Sequence, residues 1–284
     1  MVNARRVKIK NIQLGDGRFA LIAGPCSIEN TNQFLETAEH VAKQGASLIR
    51  GGIFKLRTSP ESFHGLGDKA YPLVLEAKKR LKLPFVTEVT DPRQIETLGE
   101  VTDVFQVGTR NMYNYPLLSE LGQYGKPVLL KRGFSSTIDE WIKAAGYIEQ
   151  QGNDQVILCE RGIRTFETAT RNTFDINAIA YIKAHTDYPI IADPSHGTGS
   201  RELVAPIALA AAAAGADGMI VEVHPDPAKA LSDGMQALTF DDFTQLSQQL
   251  QALLTSLGRS LTTTAPFDAA PNERSTIDSG RSHV

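Results

Sequence analysis

The stretch Ile190-Ile191-Ala192-Asp193-Pro194-Ser195-His196 decides the fold. A short apolar run ends in side chains fit for chemistry, and a glycine-rich turn then leads into a helical pattern. Working outward, the same arrangement recurs in Ala20-Leu-Ile-Ala-Gly-Pro-Cys26, Ser47-Leu-Ile-Arg50, Pro84-Phe-Val-Thr-Glu88 and Val104-Phe-Gln-Val-Gly-Thr-Arg110. It recurs again in Pro127-Val-Leu-Leu-Lys131, Val156-Ile-Leu-Cys-Glu-Arg161 and Met219-Ile-Val-Glu-Val-His224. Such runs suit strands buried on both faces of a parallel sheet. Between them, helical spacing predicts helices at 32–44, 69–82, 92–99, 115–124, 137–151, 173–185, 201–214 and 240–257. Eight strand–helix pairs fit a (β/α)8 TIM barrel, whose strands deliver their C-terminal ends to one face. No Gly-x-Gly-x-x-Gly follows any strand, which argues against dinucleotide binding.

Local signals agree with this pattern. Asp91 before Pro92 reads as a helix cap, and Thr137 with Glu140 as a capping box. Residues 7–22 read as a small hairpin turning at Gly15-Asp16-Gly17, a 1–19 extension ahead of the first barrel strand. The alanine-rich tract at 208–214 fits a closely packed helix. Residues 1–258 are expected to form one catalytic barrel domain, and the polar, unpatterned 259–284 a disordered tail.

Composition narrows the function. A hydrophobic content of 42% supports a large core, and a net charge of −3 leaves no broad basic face for nucleic acid. No apolar run is long enough to span a bilayer, and the first ten residues lack a secretory apolar segment. Two cysteines make no disulfide framework, so a reducing cytoplasm is expected.

Cys26, His196, Glu222 and Asp233 form a candidate metal set. Thiolate, imidazole and carboxylate together suit a transition metal better than calcium or magnesium. Each also has a structural reading: Cys26 as a buried small hydrophobe, His196 as a loop donor, Asp233 as a helix cap. His224 competes with His196. Six cations, Arg50, Lys55, Arg57, Arg110, Lys131 and Arg161, stand at or just after strand ends. Structural salt bridges would account for any one of them. Six together imply ligands with several negative charges. The glycine-rich turns at 51–60 and 193–201 could add backbone N–H donors, or serve only as loops.

These motifs together resemble the 3-deoxy-D-arabino-heptulosonate 7-phosphate (DAHP) synthases, in the subgroup related to 3-deoxy-D-manno-octulosonate 8-phosphate synthase. The matching segments are GlyProCysSerIleGlu at 24–29, LysLeuArgThrSerPro at 55–60, GlyThrArgAsn at 108–111 and LeuLysArgGly at 130–133. They continue with CysGluArgGly at 159–162, AspProSerHisGlyThrGly at 193–199, ValGluValHisProAspPro at 221–227 and AlaLeuSerAspGly at 230–234.

The resemblance implies condensation of phosphoenolpyruvate with erythrose 4-phosphate, the entry step of the shikimate pathway. It implies that Arg110, Lys131 and Arg161 hold the phosphoenolpyruvate phosphate, and that Arg50 and Lys55 reach its carboxylate. Arg57 and Thr58, with Ser59, would bind the aldose phosphate. Cys26, His196, Glu222 and Asp233 would hold one divalent transition metal per subunit (manganese, iron, cobalt or zinc). Lys55, Glu88 and His196 are the expected catalytic side chains. Leu56 departs from the family's usual proline, although no ligating side chain is lost. Octulosonate phosphate synthase, using arabinose 5-phosphate, is the alternative enzyme, and the loop at 55–60 speaks against it. A non-catalytic phosphometabolite-binding barrel would be expected to lack some of these side chains. Homodimers or homotetramers are implied, with neither nucleic-acid nor membrane partners. Few residues precede the first barrel strand, so a stand-alone barrel insensitive to aromatic amino acids is expected.

Overall fold

The computed structural model describes residues 5–57 and 59–262. Its N-terminal hairpin pairs β1 (Val7–Ile9) with β2 (Ile12–Leu14), antiparallel. Val7, Ile9, Ile12 and Leu14 are buried on one face, as a two-residue period requires. The turn falls at Lys10, with a φ of 51°, and not at the glycines after β2, where the sequence suggested it.

Eight further strands close into a parallel barrel: β3 (Ala20–Gly24), β4 (Leu48–Arg50), β5 (Phe85–Val89), β6 (Val104–Val107), β7 (Val128–Lys131), β8 (Val156–Glu160), β9 (Ile190–Ala192) and β10 (Gly218–Glu222). All eight coincide with the apolar runs of the sequence. Around them lie α1 (Thr31–Lys43), α2 (Tyr71–Leu81), α3 (Ile95–Val101), α4 (Tyr115–Tyr124), α5 (Ile138–Glu149), α6 (Ile176–His185), α7 (Pro194–Thr198), α8 (Arg201–Ala213) and α9 (Phe240–Ser256). The capping box at Thr137 and Glu140 is formed, and Asp91 caps the 3-10 turn that precedes α3. The one-turn α7 was not foreseen. It is too short to show a periodicity.

Alternation along the strands builds two cores. Outward residues such as Leu21, Phe85, Phe105, Leu130, Leu158 and Val221 pack in one cluster with the helices. Inward residues, among them Ile22, Leu48, Val86, Val104, Leu129, Cys159, Ile191 and Ile220, pack with the buried face of the hairpin. The hairpin therefore plugs the N-terminal end of the barrel. Two places further on, the same inward parity reaches Arg50, Glu88, Gln106, Lys131, Arg161, Asp193 and Glu222. A filled apolar interior thus carries a charged layer at its C-terminal mouth.

The last described residues extend the barrel below the point where the sequence reading placed a tail. Phe19 N–H donates to Ser260 O at 2.9 Å, and Thr262 N–H donates to Phe19 O at 2.8 Å. The remainder of the expected tail, 263–284, lies outside the described residues.

Candidate active site

Strand ends and the loops that follow them place three carboxylates beside three cations at the barrel mouth. Arg50 donates to Glu222 Oε1 at 2.9 Å, Lys55 pairs with Asp233 Oδ2 at 2.8 Å, and Lys131 with Asp193 Oδ2 at 2.5 Å. Each of these three cations is thus ion-paired within the protein. Arg57, Arg110 and Arg161 differ: among the described residues no carboxylate pairs with them. They line a cavity of about 300 Å³ with Lys55, Ser59, Glu88, Phe134, Arg171, His196 and Asp233. Five cations face two carboxylates there, so the cavity is built for anions.

Arg161 makes the strongest case. It is 2% exposed, its Nε has no hydrogen-bond partner among the described residues, and its guanidinium lies 5.0 Å over the Phe134 ring. Burial, with Arg171 nearby, lowers its pKa to about 10. Arg110 and Arg164 approach the same ring at 5.8 and 4.3 Å. Glu88 reaches the cavity because Gly108 is bare: a Cβ there would stand 2.0 Å from Glu88 Oε1.

The metal-set residues are brought together unevenly. One donor atom each from Cys26, Glu222 and Asp233 lies within 4.8 Å of the others, a group able to hold a metal ion. His196 stands beside it, with Nε2 3.3 Å from Glu222 Oε1 and Nδ1 2.8 Å from Asp193 Oδ2. His224 faces Glu29 at 3.4 Å, and its Nδ1 accepts from Asp226 N–H. It is not part of the group. Cys26 Sγ lies 3.2 Å from Asp233 Oδ2 and also contacts Lys55 Nζ. Asp233 adopts a φ of 50°, a conformation disfavoured for residues other than glycine that turns the chain at the site.

Electrostatics follow from burial among these pairs. Burial pushes the Cys26 thiol up to about 12, with Glu222 adding to the effect. It also depresses His196, which is therefore neutral near pH 7 despite its carboxylate neighbours. Burial alone would raise Glu222. His196 when protonated, and Arg50 and Lys55 permanently, outweigh it and bring the carboxyl down to about 2.

Backbone amides contribute less than the glycine-rich turns suggested. Those of Gly51, Gly52, Ile53 and Lys55 bond within the fold, and the N–H groups of His196, Gly197 and Gly199 are used inside α7. The negative charge at the start of α7 is the chain's own Asp193 cap. Side chains carry the anion site.

A family model described as the DAHP synthetase I family matches residues 4–258. The chain belongs to this family. A phospho-2-dehydro-3-deoxyheptonate aldolase of Thermotoga maritima is 48% identical over 252 residues, 89% of this chain and 75% of the relative. The crystal structure of a Thermotoga maritima DAHP synthase superposes with a TM-score of 0.89 at 47% identity, over 91% of this chain and 76% of that one. A 2-dehydro-3-deoxyphosphooctonate aldolase of Desulfatibacillum aliphaticivorans is 32% identical, over 86% of this chain and 95% of the relative.

In this member of the DAHP synthetase family, four residues at the site escaped sequence reasoning. Asp193 has a clear signal, being the inward residue two places after Ile191. Phe134 follows a strand end closely, but apolar residues attract no attention as ligands. Arg171 sits in the long β8–α6 connection and donates to Gln236 Oε1 at 2.8 Å, while Gln236 Nε2 donates to Glu222 Oε2 at 2.7 Å. The length of that connection is itself a functional signal. Thr58 lies outside the described residues.

Proposed function

We propose that the protein condenses phosphoenolpyruvate with erythrose 4-phosphate and water, giving DAHP and inorganic phosphate, as the first step of aromatic amino acid synthesis by the shikimate route. The observation that carries this reading is the buried Arg161, which has no carboxylate partner and a bare Nε among the described residues, in a cavity whose other cations are Lys55, Arg57, Arg110 and Arg171. An unpaired buried cation is costly unless a ligand meets it.

In this reading Arg110, Arg161 and Lys131 hold the phosphoenolpyruvate phosphate, and Arg50 and Lys55 its carboxylate. Arg57 and Ser59, with Thr58, take the aldose phosphate. Holding two anions side by side turns a bimolecular encounter into a positioned one. C3 of the enolpyruvyl group bonds to the aldehyde carbon, water oxygen bonds to C2, and the C2–O bond to phosphate breaks. Fixed cations stabilise the charge that develops without reorganising. Lys55, Glu88 and His196 line the space where these bonds change. Cys26, Glu222 and Asp233, with His196, would hold one divalent transition metal, a donor set of suitable softness. Bound there, such a metal acts as a Lewis acid on the aldehyde carbonyl. The enzyme works in the cytoplasm as a homodimer or homotetramer.

The test incubates metal-depleted protein with phosphoenolpyruvate and either erythrose 4-phosphate or arabinose 5-phosphate, restoring manganese, iron, cobalt or zinc singly. Phosphate release is expected with erythrose 4-phosphate and a restored metal. Release with arabinose 5-phosphate alone would reassign the chain to octulosonate synthesis, and release with neither aldose would overturn the reading.

A further inference from the structure

Behind the anion cavity, on the outer side of the barrel wall, lies a buried charge cluster that the reaction does not touch. Arg132 Nη1 donates to Glu160 Oε2 at 2.8 Å and to Asp175 Oδ2 at 2.9 Å, and Arg132 Nε donates to Ser136 O at 3.2 Å. Glu160 Oε1 accepts from Gly162 N–H at 2.6 Å. Asp175 also caps α6 by accepting from Ala178 N–H. Arg132 is 4% exposed and Glu160 fully buried.

The placement of this cluster follows from strand alternation. Lys131 and Arg132 are neighbours at the end of β7, and Glu160 and Arg161 at the end of β8. In each pair one side chain turns into the barrel mouth and the other turns outward. A single guanidinium thus ties together three segments beside the cavity. It holds the end of β7 with Lys131, the 133–136 turn with Phe134, and the end of β8 with Arg161. Through Asp175 it also reaches the far end of the connection that carries Arg171. Buried ion pairs contribute little net stability against an apolar replacement, so their presence calls for another role. Displacing a cation by about 1 Å is enough to lower a positioned reaction roughly a hundredfold.

We infer that Arg132 is a positioning residue for phosphoenolpyruvate: with Glu160 and Asp175 it sets the geometry of Lys131, Phe134 and Arg161 from behind the wall. The inference rests on the assignment of Lys131 and Arg161 to the phosphoenolpyruvate phosphate. Among the described residues, no hydrogen bond or ion pair joins the cluster to the 55–60 loop that carries the aldose side.

The experiment compares the metal-loaded wild type with Arg132→Met, Arg132→Lys and Asp175→Asn. Steady-state KM is measured for each substrate, and phosphoenolpyruvate binding without aldose by calorimetry. Arg132→Met is expected to raise the phosphoenolpyruvate KM and Kd by about tenfold, a 1.4 kcal/mol effect. The erythrose 4-phosphate KM should stay within about twofold, well inside that tenfold scale. Arg132→Lys keeps the charge but not the fork, so it should recover only part of the loss. If Arg132→Met does not fold, Asp175→Asn decides, since asparagine retains the α6 cap. It should weaken phosphoenolpyruvate selectively by roughly threefold, a fraction of the tenfold step. Unchanged phosphoenolpyruvate binding, or equal loss for both substrates, would overturn the inference. An inactive wild type that still binds phosphoenolpyruvate would strike the proposed reaction and leave this inference to the calorimetric comparison.

Discussion

Arg161 holds its guanidinium 5.0 Å over the ring of Phe134 while its Nε finds no acceptor among the described residues. The side chain is therefore poised for a ligand at the expense of the empty fold. Its pKa is lowered to about 10, so the cost is present in full at neutral pH and is relieved only as pH rises through that value. Arg161→Met should raise stability by about 1–3 kcal/mol, the penalty of a buried unpaired polar group. The same change should abolish phosphoenolpyruvate binding. Thermal unfolding and calorimetry on one preparation check both, and a destabilised variant would refute the argument.

Metal binding should be coupled to proton release. The Cys26 thiol is pushed up to about 12 by burial, so it is protonated at neutral pH until a cation replaces the proton. Titrating metal-depleted protein with zinc in a weakly buffered indicator solution should release about one proton per ion from this thiol. Cys26→Ala and His196→Ala should lose most metal and activity while remaining folded by circular dichroism. Full metal content in both variants would remove these residues from the site.

Asp193 should contribute to stability with a defined pH window. Burial opposes its ionisation, but His196 and Lys131 outweigh burial and hold the carboxyl well below its usual range. A depressed folded pKa means that the contribution is present above the unfolded value of about 3.9 and lost as pH falls through the folded one. Asp193→Asn should cost about 3 kcal/mol in urea unfolding of metal-free protein at pH 7, because Lys131 is left buried without its partner. The difference from wild type should shrink at pH 3. A difference that grows toward acid would contradict the ion-pair account.

Arg259 should matter although it lies beyond α9. Its guanidinium donates to Gly17 O at 3.1 Å, Ala216 O at 2.8 Å and Ala212 O at 3.5 Å, tying the segment before β3 to the last turn of α8 and the residues after it. Arg259→Ala should cost about 1–2 kcal/mol, as for loss of charged hydrogen bonds at a helix C-terminus. Truncation after Gly258 should cost more, because the Phe19–Ser260 and Thr262–Phe19 bonds go as well. Equal melting temperatures for full-length and truncated protein would return the domain boundary to 258.

Much of the fold was legible because its signals are local. The apolar runs at Ala20–Gly24 and Val156–Glu160 need no partner to be read as buried strands, and Thr137 with Glu140 announces its helix within four residues. The hairpin turn was misread because glycines usually mark turns, whereas here Lys10 takes the positive φ. Arg171 and Gln236 were missed because they lie on connections, and only the folded chain brings Gln236 to Glu222 and Arg171 to Gln236.

Sequence alone was enough for the barrel and for the face on which chemistry would gather, since strand period and burial on both sides are properties of each short run. It was also enough, through its motifs, for the family. It could not sort the six cations into those that meet a carboxylate within the protein and those that do not. Lys131 finds Asp193 and Arg50 finds Glu222 across 62 and 172 positions of chain, distances that local propensity does not reach. Barrel closure and strand register bring those partners within hydrogen-bond range, and the same register leaves Arg161 facing an open cavity.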